Sequence, residues 1–573
     1  MLQISSGKFY KTDELHINDG KGILYSNYSW IGPIETCVGT IEPADTHGEI
    51  TSYVFSYKNK LEKGGILVRV GDHEVIEQFK LIFSFFFQAF SDIDRNVVEM
   101  HCRKTKRNMN DEFIPNDFAN RIFESKIYGT EEEIKQFQEF MRKIIGLERS
   151  KYKKLIQCLD AFNNSLLALN YNYELAYSLL IYCLESLSQS FDNYEPEWDD
   201  YSQTIRLKLN QVLSNIESEK AEEIRDILLT DSHLKLQKRF VNFISSNIDN
   251  SFFMEEAAGI NLPLKKSALN QVLINAYDMR SKYVHSLQSI MKQLKMPGIG
   301  SAEVYTWRNN PFITYKGLIR LTHHVIKNFF ENQDFLEKEE YDWNSDLPGV
   351  IQVELSEEYW LANCTGFKQE HSTQKLNGFL SQLQNSFLYD KPVTDLTELM
   401  KFYEKLIPQS KHKYKLQMLA SYILFNLMSE KVRSVNYESI VEKHSEILNQ
   451  PSIEALLTYA LVSKSLVFTT AVCEDIFKKY EKRKYKSSSI NIPSYIEFII
   501  MLNITNAFHA EQNTEKYQEW LDKSIMNLAG NYKLQEYLSK IKESNLQIDL
   551  NHLISNKFFL SNSENSTTNE QKV

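Results

Sequence analysis

From about residue 151 onward the apolar positions recur at helical spacing. Leu155, Ile156, Leu159, Phe162, Leu166 and Leu169 form one stripe; Leu175, Leu179, Leu180, Cys183, Leu184 and Leu187 form a second, and the polar residues 170–172 separate them. Two antiparallel helices follow from that pattern. The acidic, aromatic stretch 192–200, with Pro196, reads as a loop, after which helical periodicity resumes at 205–213, 221–229 and 234–247. A longer helix is expected from near Ser267 towards Lys292, with Leu269, Val272, Leu273 and Ala276 on its apolar side, ended by Pro297, Gly298 and Gly300. The first 145 residues are different. Residues 52–57 and 66–70 alternate or run apolar with β-branched and aromatic side chains, the latter after Gly64-Gly65, and read as strands. Residues 74–90 read as a helix and 96–101, around Val97-Val98, as a further strand.

Residues 336–375 are charged near 337–342, hold one short strand candidate at 350–355, and read as a linker region. Beyond it helical stripes return, such as Leu416, Leu419, Ile423 and Leu427, then Ile453, Leu456, Leu457 and Leu461, a succession of helix pairs with solenoid character but no consensus repeat. The expected fold is mainly α, in five segments: a small N-terminal α+β domain (1–145), a central helical bundle (146–335), the linker region (336–375), a C-terminal helical, solenoid-like domain (376–556) and a disordered tail (557–573).

Composition sharpens this picture at three points. Only 19 Gly and 12 Pro in 573 residues favour long helices over turn-rich β architecture. A net charge of -10 argues against a protein that coats nucleic acid through bulk charge, so any RNA contact must be local. Cys37, Cys102, Cys158, Cys183, Cys364 and Cys473 are widely spaced, which suits reduced core residues rather than zinc ligands or a disulfide scaffold. With a polar start to the chain and no apolar run long enough to span a bilayer, the expectation is a cytoplasmic protein without a membrane partner.

Arg followed by His after four to six intervening residues occurs as Arg280/His285 and Arg95/His101, against about one match expected by chance, so spacing alone decides nothing. Context separates the two. The segment Tyr277-Asp278-Met279-Arg280-Ser281-Lys282-Tyr283-Val284-His285-Ser286 resembles the terminal-helix signature of HEPN domains, especially the Apea-like branch of bacterial defence and toxin ribonucleases. Residues 152–169 and 174–187, with Leu184-Glu185-Ser186-Leu187, look like the two leading helices of that family, so the resemblance covers about a third of the chain.

The resemblance implies a four- to five-helix bundle that forms a homodimer or higher oligomer, with two copies of the Arg and His facing a shared cleft. It further implies a metal-independent endoribonuclease that needs no cofactor, a role as an anti-phage or toxin effector in abortive infection, and a phage-derived or host protein as trigger. Histidine exchanges a proton near neutral pH, so His285 suits the base or acid while a ribose 2′-OH attacks the adjacent phosphorus to give a 2′,3′-cyclic phosphate. Arg280 suits the charge that develops there. Asp278, Glu185 and Ser281 are the candidate supporting residues, Ser281 departing from the Asn, Asp or His often found after the Arg. Five residues of ideal helix turn two side chains ~140° apart and ~7.5 Å along the axis, so the pair converges only through distortion, a folded-back Arg or a second protomer. The alternative is a non-catalytic dimer that serves as an RNA-binding or protein-interaction scaffold, or an ordinary helix-surface pair.

Weaker features remain. Arg95/His101 reads as a decoy on a strand outside the bundle. Arg103, Lys104, Lys106 and Arg107, and the basic segment 478–486 with Tyr480 and Tyr485, are candidate RNA contacts, though such runs are more commonly solvated faces. His323-His324, on an apolar helical stripe, reads as core rather than metal site because no carboxylate or Cys stands at ligand spacing.

Overall fold

The computed structural model describes every residue except 64–70, 103–113, 193, 194, 196, 202, 230–235, 348, 349, 352, 429–431, 463–465, 487 and 556–573. The expected strand at 66–70, the basic residues Arg103, Lys104, Lys106 and Arg107, and the expected tail therefore lie outside the described residues. The chain is mainly helical with a small N-terminal sheet, and it divides into two compact units, Met1–Gln352 and Val353–Val573.

The first unit opens with an antiparallel sheet built from β1 (Leu15–Ser26), β2 (Ile34–Thr36), β3 (Gly39–Asp45), β4 (Thr51–Glu62) and β5 (Ser91–Asp92), in the order β2-β3-β4-β1-β5. β4 is the half-buried strand that alternation predicts, with Thr51, Tyr53, Phe55, Tyr57, Asn59 and Leu61 facing inward. β1 escaped the sequence reading because Asn18-Asp19-Gly20-Lys21-Gly22 looks like a turn. Those glycines serve close packing instead. A Cβ at Gly20 would lie 2.3 Å from the Tyr57 ring of β4, and one at Gly22 2.0 Å from Ile76, so glycine at 22 lets helix α1 (Asp72–Phe87) lie on the strand.

Residues 95–102 form helix α2 (Arg95–Cys102), not the strand that Val97-Val98 suggested. Asp94 starts it: its carboxylate accepts the Asn96 backbone N–H at 2.8 Å, and Arg95 pairs with Glu99 one turn on. A cap and an i,i+4 pair outweigh the β preference of two valines.

The helices that follow are α3 (Glu131–Ile145), α4 (Arg149–Ala168), α5 (Tyr173–Phe191), α6 (Gln203–Leu213), α7 (Ser218–Leu229), α8 (Leu236–Ser246), α9 (Asn250–Met254), α10 (Leu269–Ser286) and, after a hairpin of β6 (Val304–Trp307) and β7 (Asn310–Ile313), α11 (Tyr315–Glu331). α5 is the hub, packed by α4, α8, α10 and α11, which is why Leu180, Cys183, Leu184 and Leu187 of its stripe are buried. No break in the core separates the sheet from these helices. Phe85 of α1 meets Phe162 of α4 at 5.4 Å, Phe79 meets Phe137 of α3 at 6.2 Å, and one apolar cluster runs from Met1 to Leu347 across the expected 145/146 boundary.

The start of the expected linker is likewise bound into this unit. The Leu336 N–H donates to the Gly146 carbonyl at 2.7 Å, Glu339 accepts the Arg149 backbone N–H at 2.9 Å, and Asp346 pairs with the Arg149 guanidinium at 2.9 Å. Rings add to the strap, Phe9 against Tyr341 and Tyr10 against Trp343. Val350, Ile351 and residues 353–355 take no strand conformation.

The second unit begins its helical array with α12 (Ser372–Tyr389), α13 (Thr397–Leu406), α14 (His412–Met428), α15 (Tyr437–His444), α16 (Ile453–Val462), α17 (Thr470–Glu481), α18 (Ser494–Ala510), α19 (Thr514–Met526), α20 (Tyr532–Glu543) and α21 (Leu550–Ser555). The expected helix pairs are present, but the inner members do not stack as an open spiral. α12 packs on α14, α14 on α16, α16 on α18, and α18 returns to α12 through Leu388, Tyr495 and Ile499. Asn377 fastens this closure, donating to the Ser489 carbonyl and accepting the Asn491 N–H at 3.0 Å. Enclosure explains why α14 and α18 bury residues on every side, a pattern that a two-layer solenoid read from stripes does not anticipate.

Candidate active site

The site candidates converge on α5 and α10. The Arg280 Nη2 lies 2.7 Å from Glu185 Oε2, and the Tyr277 hydroxyl donates to Glu185 Oε1 at 3.0 Å. One turn separates Tyr277 from Arg280, which puts both on the α10 face that meets α5. The pair is well enclosed, with 15% of the Arg280 side chain and 7% of the Glu185 side chain exposed. Burial, with the Glu185 carboxylate beside it, pushes the Tyr277 hydroxyl up to about 12, so it stays a donor across the neutral range. The sequence signal for Tyr277 is its i,i+3 spacing from Arg280 within the motif.

Asp278 does not join this cluster. Its carboxylate accepts from Gln237 Nε2 of α8 at 2.7 Å, which ties α10 to α8. Ser281 is half-buried and carries no hydrogen bond to Arg280 or His285. His285 is exposed in the last turn of α10, and no polar partner meets it among the described residues.

α10 stops at Ser286, well before the expected Lys292. Leu287 takes the left-handed conformation at φ 51°, its N–H donating to the Tyr283 carbonyl at 2.9 Å while the Gln288 N–H reaches the Lys282 carbonyl at 3.3 Å. That double bond pattern closes a helix end, and a β-carbon in this conformation costs roughly 1 kcal/mol. Pro297, Gly298 and Gly300 fall within a separate short helix, Pro297–Gly300. The consequence is positional: His285 sits in the last turn, at the carbonyl end of the helix. α10 is continuous from Leu269 to Ser286, so Arg280 points towards α5 and His285 away from it, as the ~140° offset requires. Within one chain the two do not converge.

The β6–β7 hairpin flanks the same helix. Asn275 Nδ2 donates to Asn310 Oδ1 at 3.0 Å and to the Pro311 carbonyl at 2.6 Å, pinning the hairpin one turn and a half before Arg280.

The other sequence candidates are spent on structure. Arg95 is exposed and paired with Glu99, whereas His101 is buried, its Nδ1 2.8 Å from the Val97 carbonyl and its ring stacked on Phe90 at 4.6 Å. Burial lowers the His101 pKa and keeps the ring neutral. His323 is enclosed, with Nε2 3.1 Å from the Phe85 carbonyl, and burial pushes its pKa down to about 4. His324 does meet carboxylates, though not at any local spacing: its Nδ1 lies 2.8 Å from Glu256 Oε1 and its Nε2 3.8 Å from Asp249 Oδ1, both from the α9 region. In the segment 478–486, Tyr480 is buried with its hydroxyl 3.2 Å from Glu497, which removes it from any stacking role, while Tyr485 is exposed. Among the described residues, no three His, Cys, Asp or Glu side chains converge as metal ligands, and no helix is long and apolar enough to cross a membrane.

No family model, curated protein or solved structure matches this chain.

Proposed function

We propose that the helices around α5 and α10 act as a HEPN-type, metal-independent endoribonuclease, with Arg280 and His285 as its catalytic residues. The observation that carries this reading is the contrast between the two side chains. Arg280 is oriented by the Glu185 carboxylate, which Tyr277 in turn holds, while His285 is presented to solvent one and a half turns further on, at a helix end. A guanidinium fixed by a carboxylate keeps its remaining N–H groups aimed, which suits a pentavalent phosphorus. In the proposed step the ribose 2′-OH loses its proton to a His285, its oxygen bonds to phosphorus, and the 5′-oxygen leaves with a proton, giving a 2′,3′-cyclic phosphate and a 5′-OH end.

Because the two side chains diverge on a regular helix, the reacting unit is a homodimer in which two copies of His285 serve as base and acid. Exposed apolar residues on the same two helices, Leu175 and Tyr182 of α5, Val284 of α10 and Leu287 at its end, supply a face for the second copy. The role of an anti-phage or toxin effector, released by a phage-derived or host protein trigger, belongs to the same proposal.

The second reading is a non-catalytic dimer scaffold. It is favoured by one observation: the Glu185 carboxylate neutralises Arg280, as it would in a purely structural ion pair.

His285→Ala separates the two readings, because His285 is exposed and unpartnered and its loss leaves the fold intact. Purified wild type and His285→Ala, each incubated with total RNA in EDTA, are expected to differ, fragments ending in 2′,3′-cyclic phosphate appearing with wild type alone. Equal cleavage by both proteins removes His285 from the mechanism. A stable monomer at micromolar concentration rules out the shared site.

A further inference from the structure

A cavity of about 310 Å³ opens in the second unit between the N-terminal ends of α14 and α16 and the C-terminal end of α17. Its size is at the lower end of small-molecule sites. Its lining is chemically divided. Glu454 of α16 and Gln417 of α14 form the floor, 7% and 1% exposed, whereas Lys413, Lys479, Arg483 and Lys484 stand around it.

The floor is pre-organised by a chain of hydrogen bonds. Ser372 Oγ and Thr373 Oγ1 both donate to Gln417 Oε1 at 2.8 Å, which fixes the amide so that its N–H₂ faces Glu454. Burial raises the pKa of the Glu454 carboxyl, against the pull of Gln417 and the nearby Lys413 and His412. A carboxylate offers about four acceptor positions, of which the residue's own backbone N–H and the Gln417 amide take two. An enclosed carboxyl with unused acceptors, desolvated and lining a cavity, marks a recognition point for N–H donors.

The surrounding cations have a different need. Lys484 is paired with Glu497 and Lys479 with Asp475, which accounts for two of the four. Lys413 and Arg483 are exposed at the cavity rim, Lys413 near enough to Glu454 to lower its pKa, and neither is held in a close ion pair among the described residues. A ligand that satisfies the whole cavity must turn N–H donors inward and negative charge outward. A simple anion leaves the floor carboxyl opposed by like charge, and a simple amine makes no use of the exposed cations at the rim.

We propose that this cavity binds a purine nucleotide, the N–H edge of the base against Glu454 and the phosphates against Lys413 and Arg483. Guanine fits the floor best, because its ring N–H and exocyclic amine are two parallel donors that match the two oxygens of one carboxylate, the geometry that makes Arg–carboxylate forks strong. The site is independent of the nuclease reading, since none of its residues lies in the first unit.

The test is calorimetric titration of the full-length protein with GTP, GMP, ATP and inorganic phosphate, repeated on Glu454→Gln and on the Lys413→Ala/Arg483→Ala double variant. Expected are binding of a guanine nucleotide, a loss of about tenfold or more in Glu454→Gln, where one fork acceptor becomes a donor, and a weaker salt dependence in the double variant. Inorganic phosphate alone should bind far more weakly than GTP. No heat with any nucleotide up to about 1 mM, near the weak limit of specific binding, overturns the proposal, as does GTP affinity unchanged in both variants. ATP bound as tightly as GTP, with Glu454→Gln silent, overturns the base contact. Should Glu454→Gln fail to fold, the double variant decides the outcome, because its changes lie on the cavity rim.

Discussion

Glu185→Gln isolates the electrostatic contribution of the site. The change keeps shape and volume, so the Tyr277 hydroxyl still has an oxygen to donate to, but it leaves the guanidinium of Arg280 enclosed without a counter-charge. At 2.7 Å the gross attraction is about 6 kcal/mol with an effective dielectric of 20. Desolvation of both ions offsets much of it, and removing one partner of a buried pair typically costs about 3–5 kcal/mol. Arg280 retains 15% exposure and the glutamine oxygen still accepts a hydrogen bond, so the expected loss is smaller, about 2–4 kcal/mol. For the first unit, Met1–Gln352, an unfolding entropy of about 2.1 cal/mol/K per residue makes each kcal/mol worth about 1.4 °C, which gives a lowering of Tm by about 3–5 °C. Differential scanning calorimetry reads this directly, and an Arg280→Met change added to Glu185→Gln should recover part of the loss, because no charge then remains buried. A melting temperature within about 1 °C of wild type for Glu185→Gln alone refutes the argument, as it would mean that water already satisfies Arg280.

Three further outcomes follow from the same physics. The His323 pKa is pushed from 6.5 to about 4 by burial, so between those values the unfolded chain binds a proton that the folded one refuses; stability falls with pH across that window, by about 3 kcal/mol in all, and levels off below it. Melting curves of His323→Gln between pH 7 and pH 4 should show a smaller decline than wild type, and parallel curves would contradict the assignment. Burial alone would raise the Asp346 carboxyl, but hydrogen bonds from Lys153, Arg149 and Tyr341 hold it below its usual value; its contribution is therefore present above pH 3.8 and lost as pH falls through the folded value. Asp346→Asn should cost about 3 kcal/mol near pH 7 in urea unfolding and progressively less towards acid, whereas a constant difference at all pH values would mean that shape rather than charge is responsible. In the second unit, a Cβ at Gly378 would lie 2.4 Å from the Trp360 ring, so Gly378→Ala should destabilise that unit by about 1–3 kcal/mol and raise its protease sensitivity, a smaller change than that contradicting the packing.

Helical periodicity was sufficient to locate α4, α5, α8, α14 and α16, because a stripe of leucines at 3.6-residue spacing has no alternative use in a folded chain. The Glu185–Arg280 contact was legible only as a resemblance between two segments, since nothing local says which turn of α5 faces which turn of α10. Where the reading went astray, the deciding force was a single cap or a distant surface. Asp94 made residues 95–102 a helix, Leu287 ended α10 before Lys292, and the Tyr57 ring and Ile76 required glycine within β1. Long-range pairing decided the rest: α18 closing on α12 turned an expected open solenoid into an enclosed bundle, and Arg149 with Asp346 bound the expected linker to the first unit. Sequence alone thus determined where the strongly striped helices lie, because their periodicity depends on neighbours within a few turns. Only the tertiary structure decided which buried charges meet, where a cavity opens and which polar side chain stays exposed, because each depends on surfaces that the chain brings together from far apart.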